Sequence, residues 1–101
     1  MSTLAIELEI PQAMNVYVSE DTLSVELSDG RSISVPIDWY PRLTHATDQE
    51  RSNWRIIGKG HGIHWEDLDE DISVKNLLTG MPSGESQASL KKWLDARAKA
   101  F

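Results

Sequence analysis

The sequence predicts an α+β fold: a small antiparallel sheet, a second short hairpin, a short central helix, and C-terminal helices packed against them. Three observations predict it. Apolar and polar residues alternate with a period of two along the first third of the chain, as half-buried strands require. Ser28-Asp29-Gly30-Arg31 joins two such runs as a tight turn. Helix-capping residues then open short helical runs, beginning at Asp38.

Leu4, Ile6, Leu8 and Ile10 alternate with Ala5, Glu7 and Glu9, a strand that Pro11 stops. A second strand is expected over residues 15 to 19, with Val16 and Val18 on one face, and a third over residues 22 to 27, with Leu23, Val25 and Leu27 on one face. Gly30 supplies the positive φ of the hairpin turn. The chain returns through Ile33, Val35 and Ile37, with Pro36 closing the strand. Asp38 is expected to cap a helix from Trp39 to Ala46, with Pro41 in its first turn, where a missing N–H costs least. Thr47 or Asp48 caps a further turn reaching Asn53. Residues 54 to 57 and 62 to 65 read as two strands around the glycine-rich turn Gly58-Lys59-Gly60-His61-Gly62. Ser73 caps a helix that ends near Gly80. Residues 1 to 80 therefore form the α+β domain, residues 81 to 86 a polar linker, and residues 87 to 101 an amphipathic helix with Leu90, Trp93, Leu94, Ala98 and Phe101 on one stripe. That stripe needs a cover, either the body of its own chain or a second copy in a homodimer.

Composition narrows the function classes. A chain of 101 residues fits one domain. The absence of cysteine excludes disulfides, thiolate nucleophiles and cysteine-ligated metal centres. No apolar run approaches the roughly 18 residues of a membrane span, and the N-terminus lacks a basic, then apolar, leader, so a cytoplasmic protein without a membrane partner is expected. The net charge of −6 is unevenly spread, −8 over residues 1 to 80 and +2 over residues 81 to 101. An acidic body repels nucleic-acid phosphates and favours a small basic protein as partner.

The motifs offer little chemistry. Gly58-Lys59-Gly60-His61-Gly62 lacks the third glycine spacing of a dinucleotide fingerprint and leads into a strand pattern, so it reads as a turn. Glu66-Asp67-Leu68-Asp69-Glu70-Asp71 crowds five carboxylates into six residues. Asp67, Asp69 and Asp71 mimic the start of a calcium loop, but Ile72 stands where its glycine belongs and Leu78 where its bidentate glutamate belongs. It reads instead as a structural corner exposing a negative knob. His61 and His64 point to opposite faces of a strand and fall short of a metal ligand set, and no nucleophile elbow accompanies any histidine. No enzyme activity, cofactor or metal is expected. Trp39, Tyr40, Arg42, Arg51, Trp54, Arg55 and Trp65 are residue types that dominate protein interfaces and also fill small cores. Arg42 and Arg51 further suit internal partners of the acidic corner. The candidate binding residues are Trp39, Tyr40, Arg42, Arg51, Glu66, Asp67, Glu70, Trp93 and Leu94.

The run Trp39-Tyr40-Pro41-Arg42-Leu43, followed by Gly62-Ile63-His64-Trp65, Leu68-Asp69-Glu70-Asp71-Ile72-Ser73, Leu77-Leu78 and Gly80, resembles the bacterial family known as domain of unknown function 2442 over residues 14 to 80. The resemblance implies a short α+β module. It also implies, for some members, a following DNA-binding domain or a neighbouring small protein in a toxin–antitoxin arrangement. The function expected is a non-enzymatic protein-binding module, antitoxin-like or accessory to a small basic protein. The alternative is a transcription-related regulator reaching DNA only as a dimer or through a partner, with Lys91, Lys92, Arg97 and Lys99 facing phosphate. A third reading is a small hydrolase or metal-dependent enzyme around the acidic corner and His61 or His64.

Overall fold

A computed structural model describes residues 10–100. The expected strand from Leu4 therefore lies outside the described residues except for Ile10, and so does Phe101 of the helical stripe. Strands β1 (Ala13–Val18), β2 (Thr22–Leu27) and β3 (Ser32–Pro36) form one antiparallel sheet in the order β1-β2-β3. Leu23, Val25 and Leu27 all lie on its buried face. Val25 stands opposite Val16 on one side and Ile33 on the other, so the period-two pattern and the register agree. Gly30 takes φ +95°, and Asp29 Oδ1 accepts the Arg31 N–H at 3.1 Å to close the turn.

The expected continuous helix after Asp38 is instead divided. Ile37–Trp39 is a 3-10 turn, and helix α1 covers only Pro41–Thr44. Pro41 restricts the residue before it to extended backbone, and Tyr40 takes φ −128°, ψ 88°. The helix cannot pass through such a residue, so Asp38 caps nothing here and stays exposed. Helix α2 (Asp48–Ser52) opens with a full capping box, Thr47 Oγ1 accepting from Glu50 N at 3.1 Å and Glu50 Oε1 from Thr47 N at 2.9 Å.

The second sheet contains three strands where the sequence suggests two: β4 (Trp54–Ile57), β5 (Gly62–Trp65) and β6 (Glu70–Ser73), in that order and antiparallel. β6 has no alternation to announce it, because Ile72 is its only apolar residue. The strand forms because a 3-10 turn over Glu66–Leu68 and a left-handed Asp69 (φ +50°) return the chain along β5. Gly60 is required where β4 turns toward β5. It has φ +93°, and a Cβ there would stand 2.6 Å from the Cβ of Gln12.

Helix α3 (Val74–Thr79) is capped by Ser73 and ended by left-handed Gly80, and helix α4 (Gln87–Ala100) follows. One apolar core unites both sheets, with Trp65, Leu23, Leu43, Ile63, Leu68, Val25 and Val74 fully buried in it.

Candidate functional site

The acidic corner is built by burying its one apolar residue. Leu68 is fully buried and Ile72 nearly so, which turns Glu66, Asp67, Asp69 and Asp71 to solvent. Neighbouring strands steady three of these carboxylates. Glu66 Oε1 receives Arg55 at 3.1 Å and faces His64 Nε2 at 3.3 Å, Asp67 accepts from Asn53 Nδ2 at 2.9 Å, and Asp71 meets His64 Nδ1. All four remain exposed at their own surface, and these pairs contribute little to stability.

Glu70 departs from the expected exposed knob, because it is half-buried on β6 and makes no side-chain hydrogen bond among the described residues. Burial pushes its carboxyl up to about 7. Arg42 opposes the rise, while Glu85, Asp71 and Asp69 add to it. It borders an open hollow of about 180 Å³ together with Arg42, Asp69, Ser83 and Glu85.

Arg42 ties the corner down, although through other atoms than its carboxylates. Its Nη1 donates to Leu68 O at 2.8 Å, and its Nε and Nη2 grip Glu85 at 2.9 and 2.7 Å. The guanidinium holds Glu85 below its usual carboxylate range. The segment between Gly80 and α4 is therefore tethered: Met81 N donates to Asn76 O and Ser83 N to Trp39 O, and Glu85 is held by Arg42.

Arg51 and Tyr40 are not on the candidate surface. Arg51 is 8% exposed and donates from Nε to Leu43 O and from Nη2 to Thr44 O, both at 3.0 Å, which satisfies the open carbonyl end of α1. It does not reach the acidic corner; its nearest carboxylate is Asp48 at 3.5 Å. Its own carbonyl accepts the Trp65 indole N–H at 3.0 Å. Tyr40 is 3% exposed, its hydroxyl unpartnered among the described residues, and burial with the nearby Glu70 charge pushes it up to about 12. Trp39 and Trp54 are half-buried against the core and Trp65 lies inside it.

On α4 the ring of Trp93 lies beneath two guanidinium groups, Arg97 at 4.5 Å and Arg42 at 5.1 Å from its centroid. Arg97 in turn forks onto Glu50 at 2.8 and 2.9 Å and pulls that carboxyl down to about 2. This engagement removes Arg97 from the set expected to face phosphate. Leu94 and Leu90 are half-buried and border a shallow groove with Gln87, Ala88, Lys91 and Asp95, whereas Ala98 is exposed. Glu50 and Glu85 are the residues that sequence reasoning missed. Each pairs with an arginine more than 40 positions away, and no local spacing signals that.

Among the described residues no three His, Asp or Glu side chains are disposed to hold a metal ion, and no helix is long and apolar enough to cross a membrane. His61 is exposed, and the ring nitrogens of His64 face carboxylates.

The chain is similar to a protein of unknown function from Rhodospirillum rubrum, known from a crystal structure, with 29% identity, a TM-score of 0.63, and coverage of 79% of this chain and 96% of that one. It shares its fold with an uncharacterized protein of Chromobacterium violaceum solved by NMR, at 22% identity and a TM-score of 0.66, over 90% of this chain and 84% of that one. No curated protein matches it. The model of the family described as protein of unknown function (DUF2442) covers residues 13–83, most of the two-sheet body, and the chain belongs to that family.

Proposed function

We propose that the chain is a non-enzymatic binding module that docks a small basic protein on its acidic corner, as the antitoxin-like or accessory member of a bacterial toxin–antitoxin-type pair, acting in the cytoplasm. The observation that carries the proposal is the corner itself: Glu66, Asp67, Asp69 and Asp71 project from a turn whose Leu68 is locked in the core, so their charge is held in a fixed array. Charges on such a rim steer encounter with a basic surface and govern its rate more than its final affinity.

The test uses a small basic protein recovered with this chain by pull-down from its native host. Glu66→Lys with Asp67→Lys leaves the fold intact and slows association about tenfold at low ionic strength, the difference shrinking as salt rises. Stopped-flow association across a salt series, with circular dichroism as the fold control, measures it. A folded variant that associates at the wild-type rate in low salt removes the corner as the docking surface. Relief of growth arrest on co-expression with that protein tests the antitoxin role.

A further inference from the structure

We propose that the junction around Arg42 is a pH-sensitive latch for α4: Arg42 holds the helix through Glu85 while Glu70 is protonated, and lets it go when Glu70 ionises and competes for the same guanidinium. The inference stands apart from the partner reading, since it concerns only how the chain holds its own helix.

The geometry is that of one cation between two carboxylates. Each nitrogen of Arg42 already donates, Nε and Nη2 to Glu85 and Nη1 to the Leu68 carbonyl, and the Trp93 ring lies against its guanidinium. Glu70 opens onto the same hollow and receives none of these bonds. The groups that face it are Arg42 from α1, Glu85 from the segment before α4, Asp69 and Asp71 beside it on the corner, and Tyr40 ahead of α1, whose hydroxyl is also unpartnered. Three of the five are carboxylates. An ionised Glu70 is thus half-buried, drawn to Arg42 alone and repelled by three carboxylates; swinging Glu85 and α4 away removes one of the three, admits water and frees Arg42 to turn to Glu70.

The sign follows from the position of the carboxyl. Its carboxyl sits at about 7 with the helix docked, and release of α4 removes the Glu85 charge and part of the burial that raise it, so the docked state holds the proton more tightly than the open one. Rising pH therefore favours opening as it approaches about 7, by at most about tenfold per pH unit, and the dependence flattens above that value. At the acid end Glu85 and Glu50 both titrate below their usual range, so the clasp stays closed there until well below the Glu70 window. Opening exposes Leu90, Trp93 and Leu94 together.

Amide hydrogen exchange of residues 87 to 99, followed by mass spectrometry and corrected for the intrinsic pH dependence of exchange, reads the latch directly, because an undocked helix of this length is marginal in water. In the wild-type chain the opening equilibrium rises several-fold, and by no more than about tenfold, between about pH 6 and about pH 8. In Glu70→Gln it changes less than about twofold and stays near the acid value, with β5 amides protected as in wild type to show that the body is folded. Glu85→Gln loosens α4 at both pH values. A wild-type helix equally protected at both pH values overturns the latch. So does a Glu70→Gln variant with the wild-type pH dependence, or a Glu85→Gln variant whose helix stays docked.

Discussion

Trp65 and Trp93 are the same side chain used in two ways. Trp65 is completely buried among aliphatic residues of both sheets, and its one polar atom is satisfied by the Arg51 carbonyl. Trp93 is half-buried at the edge of the core, with the guanidinium groups of Arg42 and Arg97, each anchored by a carboxylate, over its ring. The body around Trp65 is held by area removed from water, which depends neither on pH nor on the screening of charge by salt. The helix carrying Trp93 is held by ion pairs and cation–π contacts, which respond to both. A small domain can thus keep one part permanently folded and another on terms that its surroundings set.

Three variants or conditions sharpen or break that contrast. The largest effect is expected from Trp65→Ala, which empties the centre of the core and leaves the Arg51 carbonyl without its donor. A loss of about 3–5 kcal/mol in urea unfolding is expected, with both sheets lost together. If the variant loses less than about 1 kcal/mol, the two sheets do not share one core. Arg97→Ala comes next. It strips Glu50 of its partner and Trp93 of its nearer cation, and frees α4 from the body at a cost of about 1–3 kcal/mol in helix protection while the melting of the sheets hardly moves. Coupled loss of sheet and helix would show that the charged clasp belongs to the core after all. The smallest effect comes from acid. The Glu50 carboxyl is depressed from 4.5 to about 2, so its contribution is complete above about pH 5 and fades as pH falls toward 2. The expected loss is about 1–2 kcal/mol by about pH 3, allowing for partial exposure. Helicity of residues 87 to 99 followed by NMR against pH checks it, and Arg97→Ala reduces that acid dependence to the part carried by Glu85.

The first sheet was legible because each of its signals is local. Leu23, Val25 and Leu27 alternate, and Gly30 permits the turn. β6 escaped because Glu70-Asp71-Ile72-Ser73 reads as a charged loop until β5 is placed beside it. The family was legible from the Trp39 to Gly80 pattern, and the matching model over residues 13–83 covers that stretch. The candidate site was legible only as composition. Residue type put Tyr40 and Arg51 among interface candidates, yet Pro41 forces Tyr40 inward, and Arg51 is needed at the carbonyl end of α1. The apolar stripe on α4 predicted a cover, its own body or a second copy, but Ala98 is exposed and the carboxylates that tie the helix to the body are Glu50 and Glu85.

Among the described residues both sheets pair only strands that are neighbours along the chain, in the orders β1-β2-β3 and β4-β5-β6. Each closure joins strands separated by a short turn, so the entropy lost before the first native hydrogen bonds form is small. Hairpins of this kind assemble in about 1–10 μs, far sooner than sheets whose partners are distant in sequence. The two halves of the body are therefore able to take shape side by side, and what remains for the slower step is to bring them together over one apolar surface. Arg51 and Trp65 stand at that seam, one on the short helix ahead of the second sheet and the other on its middle strand, so the bond between them forms within the later half and prepares the face on which the earlier half settles.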